Sequence, residues 1–199
     1  MSAEAATTTI PYVCDELADI REKLAADPAA KWGFTVYRCT YESDEEWAAF
    51  MTYLNTRTRL NLEGTGDGDL FDRVDWNVQE NKELFGAGST GAGPCELRRH
   101  FIEHVLPTLS PTSSVDFPDS ARTHAFLQVN QMLVGLALYK APPATEFDAY
   151  GRGFVGIMSV DEEEGDFDVG ISYILPRTYV LLDGIGWDNV YDSDGAACP

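Results

Sequence analysis

The sequence predicts an α+β fold, an antiparallel sheet with helices packed on one face, and three observations lead to it. Short runs of β-branched and aromatic residues at 33–41, 124–129 and 153–160 suit a pleated, half-buried surface. Apolar residues recur at helical spacing over 15–26, 43–60 and 95–106. The resulting order, a strand, helices and then further strands, favours helices gathered on one side of an antiparallel sheet.

In chain order, residues 1–12 read as a flexible N-terminus and 13–195 as a single α+β domain. Val13, Leu17, Ile20 and Leu24 trace an amphipathic helix that Asp27 and Pro28 end. The run GFTVYRCTY reads as a central strand. Its alternation places Phe34, Val36, Arg38 and Thr40 on one face and Tyr37, Cys39 and Tyr41 on the other. Ser43 with Glu46 forms a capping box for a helix whose apolar stripe is Trp47, Phe50, Met51 and Leu54. Residues 70–78 fit neither template cleanly. A Gly-rich connection over 86–94 leads to the third helix, which Pro107 is expected to close. A loop over 110–120, an apolar stretch over 132–139 and an acidic turn over 161–168 separate the later strands. Residues 171–174 and 179–182 are expected as short strands or a final helix. This element list fits ferredoxin-like and related sandwiches.

A formal charge of −19 sets nearly every face against phosphate and anionic lipid, so nucleic acid and membrane surfaces are excluded as expected partners. A basic protein or peptide, or a small molecule, remains. The first ten residues lack a basic region and an apolar run, and no stretch reaches the roughly 18 apolar residues of a membrane span. The expected location is cytoplasmic. Cys14, Cys39, Cys95 and Cys198 are scattered without a CxxC pair, which suits reduced thiols.

KWGFTVYRCTY with the acidic, Trp-containing segment 43–47, FDRVDW with Glu80, ELRRHF at 96–101, DVG at 168–170 and the segment 187–191 are short motifs spread over residues 31–191. On these the chain resembles a large family of uncharacterised proteins from filamentous fungi. The resemblance implies an origin and no established activity. It does not require histidines at positions 100 and 104.

The sharpest chemical pattern is His100, Glu103 and His104, an HxxEH arrangement on the third helix. Histidines four apart project from one helix face and can share a zinc ion whose bound water the glutamate activates. His124 or Asp75 is the candidate third ligand. A helical wheel puts Leu97, Phe101, Ile102 and Val105 in the buried arc, with His104 flanking it and His100 nearer the polar side. Without a metal, the pair reads as two partly exposed helix histidines. Gly86, Gly88 and Gly91 spell GxGxxG, but no buried strand precedes them, so they read as a surface connection. Cys95, opening a helix near histidines, is a conceivable nucleophile whose alternative is a plain thiol. Asp188, Asp192 and Asp194 lack the spacing of a calcium loop.

Arg38 shares its strand face with Phe34 and Val36, so its charge needs a partner, and Asp72 or Asp75 is expected to supply it. A closed pair would be structural; an open one beside Tyr37 or Tyr41 would bind a carboxylate or carbonyl. Two functional classes follow. One is a binding or interaction module whose acidic surface meets a basic partner. The other is a small enzyme or ligand-binding protein with a cavity between sheet and helices, using Arg38, Asp75, Tyr37, Glu103 and the histidines as acid, base or orienting groups.

Overall fold

The computed structural model describes residues 17–86, 91–109, 120–190 and 195–199. The expected flexible start at 1–12, Cys14, Gly88, most of the loop over 110–120, and Asp192 with Asp194 lie outside them.

The fold is α+β, built on one five-stranded sheet in the order β2-β1-β3-β4-β5. The strands are β1 (Thr35–Arg38), β2 (Asn77–Glu80), β3 (Ala125–Val129), β4 (Phe154–Ser159) and β5 (Asp166–Gly170). The sheet is mixed, which corrects the antiparallel expectation: β1 runs parallel to β2 and β3, and only β3-β4-β5 is antiparallel. The physical reason lies in the connections. Parallel neighbours need a crossover, and the two stretches that supply them carry helices α2 (Asp44–Thr65) and α4 (Pro94–His100). Residues 70–78, ambiguous in sequence, divide into a 3₁₀ helix (Gly68–Arg73) and edge strand β2.

The crossovers lie on opposite faces, so helices cover both sides and the ferredoxin-like wiring does not hold. On one face Phe34, Val36, Leu127, Val155 and Ile157 pack with Phe50, Leu54 and Leu62 of α2 in the larger apolar cluster. Helix α1 (Ala18–Ala26), helix α7 (Gln131–Tyr139) and helix α9 (Tyr179–Gly184) add Leu24, Val134 and Tyr179 to it. On the other face Tyr37, Phe126 and Met158 meet Leu97 and Phe101. The alternation expected for β1 holds, since Phe34 and Val36 face one cluster while Tyr37 and Cys39 face the other.

Several boundaries move. Helix α2 continues past Leu60 to Thr65 and stops at Gly66, whose φ of 87° is the left-handed conformation that ends helices. Only half of the capping box closes: Ser43 Oγ accepts from Glu46 N, while the Glu46 carboxylate takes Gln131 Nε2 and the Tyr139 hydroxyl. The apolar stretch 132–139 falls within α7. Residues 171–174 and 179–182 are helical, in α8 (Ile171–Tyr173) with its cap Ile174 and in α9, with a kink between them where Leu175 is extended. Among the described residues, no helix is long and apolar enough to cross a membrane.

Candidate functional site

A cleft of about 380 Å³ opens between α3 (Lys82–Phe85) and the outer face of α4, lined by Leu84, Phe85, Ala92, Glu96, Arg99, His100, Glu103 and His104. Its placement starts with β1. Tyr37 is fully buried in the smaller cluster, edge-on to Phe85 and Phe126, and its hydroxyl needs a polar partner there. That partner is His100, whose Nδ1 lies 2.9 Å from the Tyr37 oxygen. Burial holds the phenol well above its ordinary pKa, so the hydroxyl keeps its proton. The direction of the bond follows the imidazole tautomer, and in either case Nε2 is the ring nitrogen left for the cleft. Burial, and then the neighbouring His104, hold the His100 pKa below the usual imidazole value, against the pull of Glu103.

The helix carrying the pair is not regular. After α4 the chain takes a wide turn over Phe101–Val105, with Leu106 N bonded to Phe101 O, five residues back, and then continues as α5 (Leu106–Leu109). Each residue advances about 100° in an α-helix but only about 80° in such a turn. Residues four apart overshoot a full turn by roughly 40° in a regular helix and fall short of it by a similar angle at about 80° per residue, so they share one flank in either geometry. His100 and His104 sit side by side on that flank, with ring centroids 4.9 Å apart and planes tilted by 57°. The sequence wheel is corrected at Ile102, which faces outward at 44 % exposure, while Val105 lies with Leu97 and Phe101 in the core as expected. The chain also stays helical through Pro107, where a stop was expected. A proline cannot bond the carbonyl four residues back and crowds it. The turn ahead of Pro107 is already wide, and helix resumes through it.

No protein-family model, no curated protein and no solved structure matches this chain.

Arg38 is not in the cleft, and its expected pairing is corrected. The parallel register sets Arg38 opposite Glu80, whereas Asp75 lies at the other end of β1, where its N–H bonds Trp32 O. Arg38 donates to the carboxylates of Asp44 and Glu80 and to Thr40 O, with its guanidinium over the rings of Tyr41 and Trp47. Asp75 pairs with Arg122, which also bonds Gly33 O and Asp75 O. In both arrangements the guanidinium is largely buried while its carboxylate partners stay partly or largely exposed. Replacing Arg38 by Met keeps the aliphatic stem but deletes these bonds, while Asp44 and Glu80 are exposed enough to be hydrated again. The expected result is a loss of about 1–3 kcal/mol, typical of hydrogen bonds to charged groups. Urea denaturation would show it as a lower midpoint at constant slope, with cleft binding unchanged.

The other sequence candidates separate. His124 ends α6 (Ala121–His124), its carbonyl accepting from Val160 N, and does not line the cleft. Among the described residues, no group of three or more His, Cys, Asp or Glu side chains stands ready to hold a metal ion, so neither His124 nor Asp75 completes the HxxEH pair. Cys95 lines a neighbouring hollow of about 300 Å³ with Arg98, Ile102 and Glu162; it shares Arg99 and Glu103 with the cleft, and no histidine lines it. Burial pushes the Cys39 thiol up to about 11, which removes it as a nucleophile at neutral pH. Gly86 and Gly91 serve close packing: a Cβ on either would meet Tyr41 or Cys39.

Sequence reasoning did not assign Leu84, Phe85, Glu96 and Arg99 to a site. For α4 the signal was present, because Glu96, Arg99, His100, Glu103 and His104 follow the spacing of one helix face. Nothing local tied Leu84 and Phe85 to it; the bond from Ala92 N to Phe85 O and the close approach of Gly91 to Cys39 do that.

Proposed function

We propose that the chain is a small-molecule-binding protein whose site is the cleft between α3 and α4. The observation that carries this reading is the hydrogen bond between buried Tyr37 and His100 at the cleft wall. A hydroxyl that can donate or accept fixes the ring while allowing either tautomer, so Nε2 can offer a lone pair or an N–H to a bound molecule. The neighbouring wall is apolar, with Leu84 57 % exposed beside Phe85. A fitting ligand therefore has a compact apolar body and a polar edge that meets His100, with Arg99, Glu96 and Glu103 at the rim. The same pair suits proton transfer, His100 acting as acid or base and Tyr37 positioning it.

The acidic interaction module stands as the second reading, supported by the exposed run Asp161, Glu162, Glu163 and Glu164 at the β4-β5 turn. One experiment separates them. Small polar aromatic fragments and a polylysine peptide are titrated by NMR into chelator-treated wild type, His100→Ala and Tyr37→Phe. Cleft binding predicts fragment affinities that fall at least severalfold in His100→Ala and less in Tyr37→Phe. Fragments indifferent to both variants, beside tight polylysine binding that fades with salt, would favour the acidic module.

A further inference from the structure

We propose that the cleft holds a late first-row divalent cation, with Zn²⁺ as the type, on Nε2 of His100 and His104. This rests on the cleft being a binding site and adds what its inorganic occupant would be. The spacing of the two rings is the first support. His100 and His104, four residues apart, share one flank of the helix with 4.9 Å between centroids. A two-point chelate needs the rings side by side.

The second support is the bond to Tyr37. A metal-binding histidine is oriented by a hydrogen bond at its other ring nitrogen, and here Nδ1 of His100 is so engaged at 2.9 Å. With Nδ1–H donating to the Tyr37 oxygen, Nε2 presents its lone pair to the cleft. Phe85 and Tyr37 pack edge-on against the same ring and hold its plane. Tyr37 is thus a positioning residue.

The third is the carboxylate beside the pair. Glu103 Oε2 lies 3.8 Å from His104 Nε2, at the mouth of the cleft, and Glu96 lines the same wall. Two imidazoles with a flanking carboxylate suit zinc, nickel or copper over magnesium or calcium, which take oxygen ligands. The absence of three ready donors among the described residues makes this an open site, not a cage. Its affinity should fall well short of a four-ligand structural zinc site, with water or the bound small molecule in the remaining positions.

The test is a Zn²⁺ titration by isothermal calorimetry in millimolar magnesium, which occupies acidic oxygen sites on a chain of charge −19. Wild type, His104→Ala, Tyr37→Phe and a His124→Ala control are compared, with imidazole NMR to identify the coordinated nitrogens. One zinc per chain is expected in wild type and in the control. His104→Ala, an exposed position that leaves the core intact, should lose at least tenfold in affinity. Tyr37→Phe should lose roughly tenfold, the lower end of the effect of removing an orienting hydrogen bond. Absence of binding in magnesium, or binding unchanged in His104→Ala, would overturn the proposal. Since the fragment titration uses metal-free protein, zinc can fail while the ligand reading stands.

Discussion

Phe126→Ala should cost about 3–5 kcal/mol, the range for deleting a fully buried phenylalanine from a packed core, and should open the cleft wall as well. Phe126 has no exposed surface; it stacks on Phe101 at 5.0 Å and meets Tyr37 edge-on at 5.2 Å. The cluster it belongs to is the smaller of the two, so few neighbours can relax into the void. Urea unfolding would report the loss. Ile102→Ala is the matched control on the same helix. Ile102 faces outward at 44 % exposure, and the expected change lies within about 0.5 kcal/mol.

What could be read from the sequence divides along the same line. Local signals were good where one period governs one element: β1, the stripe Trp47, Phe50 and Leu54 of α2, β3 and β4 all lie inside the expected segments. The α+β class followed from these alone. The parallel pairing did not, because it depends on which face each crossover takes, and no residue within β1 or β2 encodes that. Arg38 shows the consequence. Its need for a partner was legible from Phe34 and Val36, but the partner follows from strand register, which sets Glu80 beside it and leaves Asp75 to Arg122. The candidate site was half legible. HxxEH and the face shared by Glu96, Arg99 and Glu103 stand in the sequence. Tyr37 was singled out there on another ground, as a neighbour of Arg38. Its meeting with His100 joins residues 63 apart across a sheet-helix interface.

Gly91→Ala is expected to be among the most damaging single-methyl changes at the described residues, at about 2–5 kcal/mol. The backbone there has φ of 78°, where an L-residue costs roughly 1–2 kcal/mol. The added Cβ would stand 2.5 Å from Cys39 Cβ, 2.8 Å from Cys39 O and 2.9 Å from Phe85 O. Two of those three atoms are backbone and cannot turn aside, so overpacking adds about 1–3 kcal/mol. Gly165→Ala separates the two contributions. Its φ of 76° is nearly the same, but its Cβ would meet open space, and only the conformational cost of roughly 1–2 kcal/mol should appear. The excess at Gly91 also has a functional readout. Ala92 beside it lines the cleft and accepts a hydrogen bond from Gln128 Nε2 at 2.8 Å, while Phe85 packs on His100. Relieving the clash has to move Ala92, Phe85 or β1 itself, so Gly91→Ala should weaken fragment binding where Gly165→Ala does not. Equal binding in the two variants would mean that Gly91 and Ala92 merely border the cleft and do not build it.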